Sequence, residues 1–76
     1  MSFDVEAAIK ELTNGSKKLG DFSIDQVREM IIAKRHPYHA EDFKVKKIEG
    51  EKIYCQLWNG GNIIYIFQDG DFHRKL

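Results

Sequence analysis

The sequence has a single cysteine, Cys55, so no disulfide can form within the chain. At 76 residues that leaves the hydrophobic core to carry the fold alone. A chain of this size buries only about 60% of its unfolded surface, so the core is expected to be thin. One thiol, with no secretion signal at the start, fits a reducing, cytoplasmic setting. No apolar run approaches the ~20 residues of a membrane span, and no membrane association is expected. Formal net charge is zero, which argues against a dedicated duplex-DNA binder, normally strongly basic. There is one proline, Pro37, and no repeat, low-complexity tract, linker or lipidation motif, so 1–76 reads as one domain. Phosphate-binding glycine loops, nucleophile elbows and paired carboxylates are missing too. No enzyme activity and no cofactor are expected.

What is present is periodic. Hydrophobic residues make up 42% and charged residues 32%, ample for a folded chain. Val5, Ala8, Ile9 and Leu12 recur at helical spacing, predicting a helix from about Asp4 to Thr13. Ser2 or Asp4 can cap its start, and Asn14-Gly15 stops it. GSKKLGDF (15–22) reads as a solvated loop. Ser23 with Gln26 forms a capping box, and Phe22 before it can staple onto Val27. The second helix then runs to Pro37, with Ile24, Val27 and Ile31 as its buried stripe and Met30 and Ile32 at the edges. Residues 36–42 read as a connection.

From Phe43 the period changes to two. Strands are predicted over 43–48, 52–58, 62–68 and 72–75, joined by short turns into an antiparallel meander. The fold class is α+β: two N-terminal helices packed on a C-terminal four-stranded sheet, three strands strong and one weak, in the order ααββββ.

The stretch KIYCQLWNGGNIIYIF (52–67) dominates the reading. A two-residue loop, either Asn59-Gly60 or Gly60-Gly61, places Ile53, Cys55, Leu57, Ile64 and Ile66 on one face. Tyr54, Gln56, Trp58, Ile63, Tyr65 and Phe67 then share the other. For the first strand, a two-residue loop would turn Lys44 and Lys46 into the core, at high cost. A three-residue loop, Glu49–Glu51, instead aligns Phe43 and Val45 with Leu57 and Cys55. It sets Lys44, Lys46 and Ile48 beside the aromatic residues and Lys47 at the rim of the aliphatic face. Asp69-Gly70 suggests a type I′ turn pairing Phe67 with Phe72, which would bring Phe72, Arg74 and Leu76 to the aromatic face.

Two short helices can hardly cover both sides of such a sheet; one on each face would make the aromatic side ordinary core, whereas both on the aliphatic side would leave it exposed. The aromatic face is therefore the candidate partner-binding surface, made of Lys44, Lys46, Tyr54, Gln56, Trp58, Tyr65, Phe67 and Arg74. Charge leans the same way. Residues 1–42 hold six Lys/Arg against eight Asp/Glu, whereas 43–76 hold six against four. A small non-enzymatic interaction protein is expected, an inhibitor, regulator or adaptor of the kind phages and mobile elements encode, docking on a protein partner. A homodimer through this face is one alternative. A single-stranded nucleic-acid-binding module using the same aromatics and lysines is another. The remaining alternative is a small metal-binding protein or enzyme, with His36, His39 and either Cys55 or His73 as ligands. The H-x-x-H spacing supports it weakly, and no metal is expected. Cys55 itself points to the aliphatic face, where a thiol is buried and inert.

Overall fold

Helix formation begins where the sequence supplies a cap. In the computed structural model, which describes residues 3–35, 43–58 and 60–75, the Asp4 carboxylate accepts from the Ala7 amide at 3.1 Å and starts α1, Val5–Thr13. Ala8 and Ile9 are its buried face. The following loop is less solvated than its composition suggests. Leu19–Asp21 make one 3₁₀ turn, and Leu19 is 3% exposed in the core. The Asp21 carboxylate holds the turn by accepting from the Lys18 amide at 2.8 Å.

The capping box of the second helix forms as expected. The Gln26 amide donates to Ser23 Oγ at 3.1 Å, and the Ser23 amide donates to Gln26 Oε1 at 3.0 Å. A cap of this kind is worth on the order of 1 kcal/mol. The helix, α2, spans Ile24–Arg35 and buries Val27, Met30 and Ile31. Ile24 is 45% exposed, so it is not in the stripe, and Met30 takes the place expected of it. The predicted connection, with the His36–His39 spacing, lies outside the described residues.

Four strands follow: β1 Phe43–Glu49, β2 Lys52–Leu57, β3 Asn62–Gln68 and β4 Asp71–Lys75. They pair antiparallel in the order β1-β2-β3-β4, the predicted meander. The chain is therefore α+β in the order ααββββ. Asp69 (φ 54°) and Gly70 (φ 77°) form the type I′ turn, and Phe67 pairs with Phe72 as expected.

The first hairpin satisfies two demands at once. Its loop has two residues, Gly50-Glu51, with Glu49 opposite Lys52 and Ile48 opposite Ile53. Continued unchanged, this register would bury Lys44 and Lys46. A bulge between Val45 and Lys47 absorbs one residue and restores Val45 opposite Cys55 and Phe43 opposite Leu57. The three-residue loop expected here is thus replaced by a two-residue loop plus a bulge. Ile48 consequently joins the core face, while Lys47 moves opposite Tyr54.

The central hairpin corrects a larger expectation. Leu57 and Gly61 close a three-residue loop, with the Leu57 amide donating to the Gly61 carbonyl at 2.7 Å and the Gly60 amide to the Leu57 carbonyl at 2.9 Å. Gly60 adopts φ +89°, the left-handed conformation that such a loop requires and glycine supplies cheaply. An odd loop length reverses the phase of everything after it. Ile53 pairs with Tyr65 and Cys55 with Ile63. The helix-side face is Phe43, Val45, Ile48, Ile53, Cys55, Leu57, Ile63, Tyr65, Phe67 and Phe72. Ile64 and Ile66, expected in the core, lie on the opposite face.

α2 covers that face, and α1 joins the same core from behind it. α2 touches β1 and β4, the two edges, so it crosses the whole sheet; at ~1.5 Å per residue it is long enough to do so. Arg28 fixes it there, donating from Nε to the Phe43 carbonyl at 3.0 Å with its guanidinium 5.1 Å from the Phe43 ring centroid. α1 packs on α2. Met30, Ile31, Val27, Ile53, Cys55 and Phe72 are the largest fully buried side chains, and Phe72 meets Phe67 edge-on at 5.1 Å. No described helix is long and apolar enough to cross a membrane.

Candidate interaction surface

The outer face of the sheet is built by the even-numbered residues of β2 and β3 and by whatever pairs with them. Tyr54 pairs with Ile64, Lys52 with Ile66 and Gln56 with Asn62. β1 adds Lys47 opposite Tyr54, Lys44 opposite Gln56 and Glu49 opposite Lys52. β4 adds Lys75 opposite Ile64, His73 opposite Ile66 and Asp71 opposite Gln68. One cross-strand row therefore reads Lys47–Tyr54–Ile64–Lys75 and the next Glu49–Lys52–Ile66–His73. The middle is apolar: Tyr54, Ile64 and Ile66 are half-buried by their neighbours but belong to no helix contact of the core. The flanks are charged, and mostly positive.

Local contacts hold the parts in place. Lys47 Nζ lies 3.0 Å from Glu49 Oε2 and 5.3 Å from the Tyr54 ring centroid. Glu49 raises the Lys47 pKa, so this ammonium stays charged over the ring. On β4 the His73 ring reaches the Gln68 carbonyl at 3.2 Å. Lys46, at the bulge, is exposed.

Of the eight residues expected to form the surface, four stand on or beside it: Lys44, Lys46, Tyr54 and Gln56. Trp58 lies just past β2, at the start of the hairpin loop, and is 77% exposed. Tyr65 and Phe67 are corrected outright, because the odd loop turns them inward; Phe67 is 9% exposed and Tyr65 packs on the core. Arg74 pairs with Tyr65 and so shares the inner phase, though its side chain is exposed at the sheet's end. Sequence reasoning missed Lys47, Lys52, Ile64, Ile66 and Lys75. For Ile64, Ile66 and Lys75 the signal is β4, where pairing Phe72 with Phe67 forces Ile64 and Ile66 to share a face with Lys75 and His73; Lys52 shares the phase of Tyr54, and Lys47 is placed by the bulge.

Cys55 is buried as expected, at 2% exposure, and burial pushes its pKa up to about 11. The folded state favours the protonated thiol. Its contribution to stability is therefore complete below the unfolded pKa, about 8.5, and is lost as pH rises toward 11. Thiol labelling at pH 8 should be negligible in the folded protein and rapid in denaturant. Labelling at equal rates in both would place Cys55 at the surface.

An open cleft of about 670 Å³ lies between the 3₁₀ turn and the first hairpin. Leu12, Leu19, Ile48 and Phe67 form its floor, and Lys17, Lys18, Asp21 and Glu51 its rim. Lys17 is bound to Glu11 at 3.4 Å, and Asp21 is occupied by the Lys18 amide. The lining contains no histidine, cysteine or serine. Among the described residues no three His, Cys, Asp or Glu side chains converge as a metal site.

No family model, characterised protein or solved structure matches this chain.

Proposed function

We infer that this is a small non-enzymatic binding protein, an inhibitor, regulator or adaptor, that docks the outer face of its sheet onto a protein partner. The observation that carries this reading is one-sided coverage. α2 packs on the inner face, α1 packs on α2 and adds Ala8 and Ile9 to the same core, and Tyr54, Ile64 and Ile66 stand together on the other face, framed by lysines. An apolar centre with a polar rim is the usual anatomy of a protein interface. Tyrosine at the centre supplies contact area at low entropic cost. Among the described residues, Tyr54 is the one aromatic at an outer-face position of the four strands, with Trp58 exposed in the adjoining loop, a short platform for stacking successive bases.

Site-specific photo-cross-linking tests the reading. A benzoylphenylalanine at Tyr54, in the cells that make the protein, should give an adduct with a different protein. The same group at Glu29, exposed on α2, should not. Adducts to a second copy of this chain, to nucleic acid, or to nothing at Tyr54 would overturn it.

A further inference from the structure

We propose that the element received by the outer face is an acidic amphipathic helix of the partner, lying along the strands with its apolar stripe on Tyr54, Ile64 and Ile66. This rests on the docking reading above and specifies its chemistry. Tyr54, Ile64 and Ile66 occupy the two central strands, β2 and β3, with Lys52 at the exposed start of β2, while the other lysines stand on the two edges beside Glu49 on β1 and Asp71 on β4. Lys44 and Lys47 stand on β1, with Lys46 exposed at its bulge, and Lys75 stands on β4. Adjacent strands are ~4.8 Å apart, so the outer strands are separated by about 14 Å. A helix with its side chains is ~10–12 Å across. One helix therefore fits between the edges, with carboxylates on one flank within reach of the β1 lysines and one on the other within reach of Lys75.

The alternatives fit less well. An extended strand would pair with an edge, not lie on the face, and the β1 edge carries a bulge and three lysines that discourage pairing. A second copy of the same face would set lysines against lysines, with Glu49 and Asp71 as the only carboxylates in the four strands' outer rows.

The partner peptide cross-linked to position 54 decides the matter. It should contain apolar residues at i, i+3 or i+4, and i+7, flanked by Glu or Asp. Made synthetically, it should bind the unmodified protein with an affinity that falls as salt rises. Lys47→Glu combined with Lys75→Glu should weaken it by roughly tenfold or more, while Lys10→Glu on α1 should leave it unchanged. Circular dichroism on each variant confirms the fold. A partner peptide that is neutral, basic or extended, or binding indifferent to both salt and the paired lysine change, would overturn the helix while leaving the docking reading intact. Failure to cross-link any partner protein would remove both.

Discussion

Phe72→Ala is expected to destabilise the protein by about 3–5 kcal/mol. Phe72 is completely buried and packs edge-on against Phe67 between β4 and the helices. Truncation removes its transfer free energy and leaves a cavity that β4, a short edge strand, can only partly close. Small domains have total stabilities of about 5–15 kcal/mol, so the loss is a large part of the whole. Ile64→Ala on the outer face should cost far less, about 1 kcal/mol, because the residue is half-exposed and leaves no enclosed void. Urea unfolding of the two variants measures both. The ranking is diagnostic, since a hairpin of opposite phase would make Ile64 the costly position.

Deleting Gly60 should be as damaging, through the backbone. The loop between Leu57 and Gly61 has three residues with Gly60 at φ +89°. With one residue removed, the chain has two options. It can keep the register with Trp58-Asn59 as a two-residue loop, which demands left-handed backbone from tryptophan. Alternatively it can keep a three-residue loop and invert β3. Inversion turns Phe67 and Phe72 outward and brings Lys75 and His73 inward beside Ile64 and Ile66. Exposing the two phenylalanines alone costs roughly 1.5–3 kcal/mol each. Gly60→Asn is the control; asparagine tolerates left-handed backbone, and a loss of about 1 kcal/mol or less is expected. A deletion variant as stable as the Asn variant would show that the loop does not set the phase.

These two outcomes mark where the sequence is legible. Helix starts are local, and Asp4 and the Ser23–Gln26 box act as their spacing implies. The Asp69-Gly70 turn has one low-energy solution, and it forms. The strands begin and end within a residue or so of where turn residues place them. Phase is another matter, because NIIYIF is apolar in both alternations and gives no preference of its own. The turn WNGGN offers loops of two or three residues, and only an odd loop inverts the faces.

A discriminating signal was nevertheless present two strands away. The Asp69-Gly70 turn locks β4 to β3, so burying Ile64 and Ile66 would also turn Lys75 and His73 toward the helices. The same cost that keeps Lys44 out of the core in β1 excludes that phase in β4. Gly50-Glu51 illustrates the converse: its two-residue loop is rescued by a bulge, which no local pattern announces. Lys44, Lys46, Tyr54 and Gln56 stand on or beside the outer face because the bulge restores the expected phase of Phe43–Val45 against β2. Tyr65, Phe67 and Arg74 change phase because their position depends on one loop residue.

The candidate surface stands on the pairing of β2 with β3, and cross-strand nuclear Overhauser contacts measure that pairing directly. Contacts joining Tyr54 to Ile64 and Lys52 to Ile66 are predicted. Contacts joining Tyr54 to Tyr65 or to Phe67 would mean an even loop, an inner face of Ile64 and Ile66, and a different molecule presented to any partner.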